Sequence, residues 1–257
     1  MSPVAARLAA FTLVLAGAFG TAYAAGEKLP GHTHNGSDAH SHSNTVGQIP
    51  TASDAAGYRL ITDTGAGPNE LAFHVTDPSG RRVTDLTEVH GALLHTVLVR
   101  PDLSGFQHVH PDIAADGSWV VPIEQPGPWH IVFELLPAGA ASEIILTIDT
   151  DDGTQIPTTP LPAADDTVET DGLTVTRNGL SFTVSPSDGL EPYLGQAAHL
   201  VAIRQGDLAY EHLHPTDAMT GMLMFGDALG APGTYRLFLQ FGYRGEVLTV
   251  PFTVVQS

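Results

Sequence analysis

His95-Thr96-Val97-Leu98-Val99-Arg100, followed by Phe106-Gln107-His108-Val109-His110-Pro111, returns 104 residues later as His199-Leu200-Val201-Ala202-Ile203-Arg204 and Tyr210-Glu211-His212-Leu213-His214-Pro215. The gap between the two halves is the same in both copies. Every run contains β-branched or aromatic residues, and a short connection (101–105) joins the first pair. Each copy therefore reads as two strands and a turn. An antiparallel hairpin of this length sets His110 opposite His95, with Cβ atoms about 4.5–5.5 Å apart. His108, two residues from His110, shares its face. One strand face near one end of the hairpin then carries three imidazoles, and the second copy repeats the arrangement.

Further pairs of segments match in the same order. Asn69-Glu70-Leu71-Ala72-Phe73-His74-Val75 corresponds to Asn178-Gly179-Leu180-Ser181-Phe182-Thr183-Val184, and Pro126-Gly127-Pro128-Trp129 to Pro232-Gly233-Thr234-Tyr235. One domain has been duplicated. Strands are expected in the first copy at 57–62, 70–76, 93–100, 106–110, 118–123, 129–136 and 143–149. In the second they are expected at 172–177, 180–185, 197–204, 209–213, 221–226, 234–241 and 246–254. Seven short strands in about 90 residues, punctuated by Gly, Pro and Asp, point to an all-β chain. It consists of two tandem immunoglobulin-like or cupredoxin-like β-sandwiches.

The flanks read differently. Residues 1–24 have Arg7 ahead of an apolar run and an Ala22-Tyr23-Ala24 cleavage site, the pattern of a signal peptide. Residues 25–56 are polar, His-rich and without period, and are expected to be a disordered tail. The sandwiches are expected at 57–150 and 168–257, joined by a Pro-, Asp- and Thr-rich linker at 151–167. The protein is thus expected to be secreted or to reside in the cell envelope, with no stable membrane span once the signal is removed.

The 257 residues hold 10 Lys and Arg against 28 Asp and Glu, a net charge of −18. Such a field repels nucleic acid and favours cations. There is no cysteine, which excludes disulfides, zinc ribbons, iron–sulfur clusters, thiol catalysis and Cys-ligated copper. Of 13 histidines, three occupy equivalent places in both copies: His95, His108 and His110, and His199, His212 and His214. His74, His90 and His130 have no such counterpart. Three neutral imidazoles on one face are a metal site with an open position. Imidazole suits copper, zinc, iron and nickel; copper is favoured here, with zinc or iron as alternatives. Met219, Met222 and Met224, just after His214, add thioether sulfurs that prefer soft ions, although strand packing explains them equally well. In the tail, His32 and His34 with His40 and His42 form two H-x-H pairs suited to weak metal collection. A hydrogen-bond network that fixes the hairpin, with Arg100 and Arg204, is the structural alternative for the sandwich histidines.

The run His95, Val99, Arg100, Asp102, Leu103, Phe106, His108, His110 and Pro111 resembles a group of exported bacterial proteins described as secreted or heavy-metal-binding. The second copy keeps His199, Arg204, His212, His214 and Pro215 but has Gly206-Asp207 in place of Asp-Leu. The resemblance implies a metal-related role in the cell envelope, with copper favoured. The expected function is extracytoplasmic metal buffering or delivery, with the ion and an envelope metal transporter or another envelope protein as partners. Two alternatives stand beside it. One is a non-metal interaction module of two Ig-like domains. The other is a metal-dependent hydrolase: His108-Val109-His110-Pro111-Asp112 resembles the H-x-H-x-D of metallo-β-lactamase-fold enzymes, but Ile113 stands where a further His is needed and the helices of that fold are missing. No catalytic residue is assigned, and the protein is not expected to be an enzyme.

Overall fold

The computed structural model describes residues 54–257 apart from Pro68 and Asp227. The signal-like segment and the tail histidines His32, His34, His40 and His42 lie outside the described residues. The first repeat comprises β1 (Asp54–Ala55), β2 (Tyr58–Thr62), β3 (Glu70–Thr76), β4 (Leu86–Thr87), β5 (Leu94–Val99), β6 (Phe106–Val109), β7 (Ser118–Pro122), β8 (Trp129–Pro137) and β9 (Ile144–Thr150). The second comprises β10 (Thr167–Thr170), β11 (Leu173–Asn178), β12 (Ser181–Ser185), β13 (Leu190–Glu191), β14 (His199–Arg204), β15 (Tyr210–Leu213), β16 (Asp217–Met219), β17 (Met222–Met224), β18 (Gly233–Tyr243) and β19 (Glu246–Gln256). The described residues contain no helix, and so none long and apolar enough to cross a membrane.

Each repeat is a two-sheet sandwich in which every ladder is antiparallel. In the first, the order β1-β2-β3-β7 faces a sheet in which β6, β5, β8 and β9 lie side by side. In the second, β10-β11-β12-β17-β16 faces β15, β14, β18 and β19. The seven strands expected in each copy form with their ends shifted by a residue or two. The additional strands β1, β4, β10, β13 and β16 are two to four residues long, too short to carry a period of their own. β1 starts inside the stretch read as tail, and β10 begins on the last residue read as linker. The rest of that linker runs along the first sandwich, where the Thr159 amide donates to Asp102 at 2.7 Å.

The alternation of side chains explains two cores inside the sandwiches and a third between them. Along β8, Trp129, Ile131, Phe133 and Leu135 point into the first sandwich with Phe73, Leu94, Leu98 and Trp119. Phe182, Leu200, Ala202, Leu237, Leu239 and Phe252 fill the second. The alternate residues of the same strands are also buried. Val97, Val99 and Val132 meet Val201, Ile203, Tyr210 and Phe238 in a cluster shared by both repeats, and Phe106 stacks on Phe238 with ring centroids 4.0 Å apart. The two sheets pack outer face to outer face. β5 is consequently buried at every residue, which accounts for the apolar run Val97-Leu98-Val99 that shows no alternation with polar residues. The histidines His95 and His199 stand on this shared face, in line with Val97 and Val201.

Candidate metal centre

The hairpin register places the imidazoles. Val99 pairs with Phe106 and Thr96 with Val109, so His95 and His110 meet one step beyond the last pair of the ladder. Ile203 pairs with Tyr210 and Leu200 with Leu213, which does the same for His199 and His214. In each repeat one ring nitrogen from each of the three histidines lies within 4.8 Å of the others. The structure therefore brings together His95, His108 and His110, and likewise His199, His212 and His214.

The outward nitrogens set the tautomers. Nε2 of His95 is 3.0 Å from the Val89 carbonyl, and Nε2 of His199 is 3.0 Å from that of Tyr193. A carbonyl only accepts, so both nitrogens donate, and the Nδ1 lone pair of each ring faces its triad. Nδ1 of His108 donates to Oε1 of Gln240 at 2.6 Å, and Nδ1 of His212 donates to Glu134 at 2.8 Å. Their Nε2 atoms are left to face inward. Nε2 of His212 is 3.2 Å from Nδ1 of His199, while Nε2 of His108 is buried without a hydrogen-bond partner. An orphaned lone pair in the interior carries a desolvation cost unless something meets it, and a cation would. Nε2 of His110 and of His214 complete the triads, 3.0 and 3.1 Å from Nδ1 of His95 and His199.

Two matching turns hold the carbonyls that orient this arrangement. Val89 and Ala92 exchange backbone hydrogen bonds, as do Tyr193 and Gln196. The central residues His90-Gly91 and Leu194-Gly195 all have positive φ, as in a type I′ turn. The turns touch each other, since a Cβ on Gly91 would lie 2.6 Å from the Leu194 carbonyl oxygen.

The triads are neighbours across the repeat boundary. The ring centroids of His95 and His212 are 5.0 Å apart and those of His108 and His212 5.4 Å, spacings like those within a triad. His90 stacks on His214 at 3.6 Å. Sequence reasoning passed over His90 because its counterpart is Leu194. The signal that could have found it was its place beside Gly91, one turn ahead of His95. Burial lowers the pKa of His108 and His212 well below the ordinary histidine value, and the nearby imidazoles lower it further. The same causes bring His110 to about 3. Burial brings His199 to about 4 against the raising effect of its bond to Tyr193, and His214 falls as well. All five are neutral near pH 7, the form that ligates metal.

Other expected participants stand apart. Met219, Met222 and Met224 lie on the β16–β17 hairpin, in the opposite sheet of the second sandwich from β14 and β15. Met219 is 60% exposed while Leu223 between the other two enters the core. Arg100 and Arg204 do not bond to the triads. Arg100 donates to the Pro126 carbonyl at 2.9 Å and covers the Trp129 ring, while Arg204 pairs with Asp207. Their task is to grip the Pro-Gly loops before β8 and β18. Asp112 of the H-x-H-x-D run is exposed and outside both triads.

Among solved structures, the chain is similar to the FN1–FN3 domains of chicken CNTN1, with 10% identity and a TM-score of 0.18. The match covers 75% of this chain and 65% of that one, so the chain spans less than two thirds of that structure's length. No curated protein matches the chain. A family model matches twice in succession, over residues 53–152 and 162–257, in keeping with the duplication read from the histidine-bearing hairpins. The chain belongs to that family, which is described as a domain of unknown function (DUF8832).

Proposed function

We propose that this is an exported transition-metal-binding protein, with copper the favoured ion, that buffers or delivers the metal outside the cytoplasmic membrane. The observation that carries the reading is the convergence of lone pairs. Six histidines form two triads, and hydrogen bonds to Val89, Tyr193, Gln240 and Glu134 turn the free nitrogens of four of them inward. Three imidazoles without thiolate or carboxylate ligands suit copper, with zinc and iron as the competitors. Export follows from the reading of residues 1–24, and a partner that hands over or receives the ion would be an envelope metal transporter or another envelope protein. The acidic surface gathers cations without choosing among them.

The test is titration with Cu(I), Cu(II), Zn(II) and Fe(II) against competing chelators. It uses the chain with His32, His34, His40 and His42 replaced by Gln, so that the tail cannot contribute. Two equivalents are expected, falling to one in the His108→Gln/His110→Gln variant while its circular dichroism stays that of a folded β protein. Tight uptake that disappears with the tail histidines, or no uptake at all, would overturn the proposal. Unfolding of the double variant in metal-free buffer would instead assign those two histidines to the structural network.

A further inference from the structure

The two triads are built alike but are not backed alike. Glu134 on β8 is the register partner of His95, and Gln240 on β18 is the register partner of His199. The two residues hold the same place in their repeats, and each reaches across to the other repeat's triad. Glu134 accepts from Nδ1 of His212 at 2.8 Å and from the Tyr210 hydroxyl at 3.2 Å. Gln240 accepts from Nδ1 of His108 at 2.6 Å, while its amide nitrogen donates to Thr249 at 3.0 Å. Two donors, the His212 ring and the Tyr210 hydroxyl, converge on one oxygen of Glu134. The side chains of His212 and Glu134 are 1% and 12% exposed, so water and salt screen the pair little.

A divalent ion on three neutral imidazoles leaves an uncompensated double charge in the interior, which is costly. A carboxylate on the far side of one ligand ring offsets part of that charge and makes the ring a stronger donor. An amide fixes the same tautomer and supplies no charge. Resting on the metal-binding reading, we infer that the two triads are unequal sites. His199, His212 and His214, with Glu134 behind them, take a divalent ion first; His95, His108 and His110, with Gln240 behind them, take the second more weakly. Each sandwich thereby sets the affinity of the other's site.

Cobalt(II) is the probe, because its visible absorption reports imidazole ligation and chelator competition yields the two stepwise constants. The chain again carries Gln at the four tail histidines. His214→Gln should remove the tight step and His110→Gln the weak one. Glu134→Gln should weaken the first step about 10–100-fold and leave the second within about twofold. Gln240→Glu, in which Thr249 can donate to the new carboxylate, should strengthen the second step by a similar factor. Two equal steps in the parent chain would overturn the inference, as would a Glu134→Gln variant with unmoved constants or loss of the weak step in His214→Gln. Absence of any cobalt uptake would instead remove the metal-binding reading on which the inference rests.

Discussion

At the scale of single residues, the arrangement of the triads depends on groups that lie outside them. The carbonyls of Val89 and Tyr193 each accept a backbone amide and a histidine Nε2, so a turn that is already closed aims the imidazole. Gly91 carries this role furthest. Its φ is +85°, and the space a Cβ would need is held by the Leu194 backbone. Gly91→Ala should therefore cost about 1–3 kcal/mol, the scale of a strained left-handed residue. It should also weaken metal binding by parting the two turns. Urea unfolding checks the first effect and metal titration the second; an Ala variant as stable as the parent would mean that the turns do not touch. His90 teaches a related lesson. Repetition between the copies selected six histidines and passed over a seventh, because a residue can join a site from one repeat alone.

At the scale of strands, one alternation serves two interiors. In β14, Leu200 and Ala202 enter the sandwich while His199, Val201 and Ile203 enter the joint between repeats. The sheet faces at this joint behave as core. Phe106 on Phe238 is a stacked pair linking them, and Phe238 is 4% exposed. Truncation in Phe238→Ala should cost about 3–5 kcal/mol, as for a buried aromatic. Because β18 also carries Gln240, the variant should loosen the support of His108 and lower the affinity of the first triad. Chemical denaturation gives the first number; a loss under about 1 kcal/mol would mean that the sheets meet only loosely. The register of β5 with β6 was legible from the length of the connection, because a short loop fixes pairing. The two-residue strands β4 and β13 were not, since their pairing is set by where β8 and β18 run on past β5 and β14.

At the scale of the whole molecule, the protein buries a cluster of imidazoles inside a chain of net charge −18. Burial disfavours the charged form of each ring, so the folded state holds them neutral. The unfolded chain protonates its histidines near pH 6.5, whereas folded His199 and His110 do so only at about 4 and about 3. Between those limits the unfolded state binds more protons. Stability is therefore fully present above about pH 7 and is lost as pH falls from 6.5 towards 4, at no more than about 1.4 kcal/mol per pH unit for each such histidine. Urea midpoints at pH 7.5 and 5.0 should show a clear drop in metal-free buffer, smaller in His110→Gln. Equal midpoints would contradict burial of the cluster. Metal affinity of the folded protein should hold through that range and fall only below about pH 4, where protons begin to compete for His199 and then His110.

What the sequence determined by itself was everything carried by local spacing. The offset between the copies revealed the duplication. Alternation and turn residues showed an all-β chain, and the hairpin lengths placed three histidines on one strand face in each repeat. Those properties follow from the two-residue period of a strand and the reach of a short loop, which need no knowledge of distant contacts. Only the tertiary structure decided that the two triads are neighbours, that His90 joins them and that the methionines stand in the opposite sheet. The same holds for Glu134 and Gln240, each of which supports the site of the other repeat. Such relations depend on how two sheets pack face to face, which is governed by the shape of Val97, Val132, Val201, Phe238 and the residues around them, and no spacing along the chain encodes that shape.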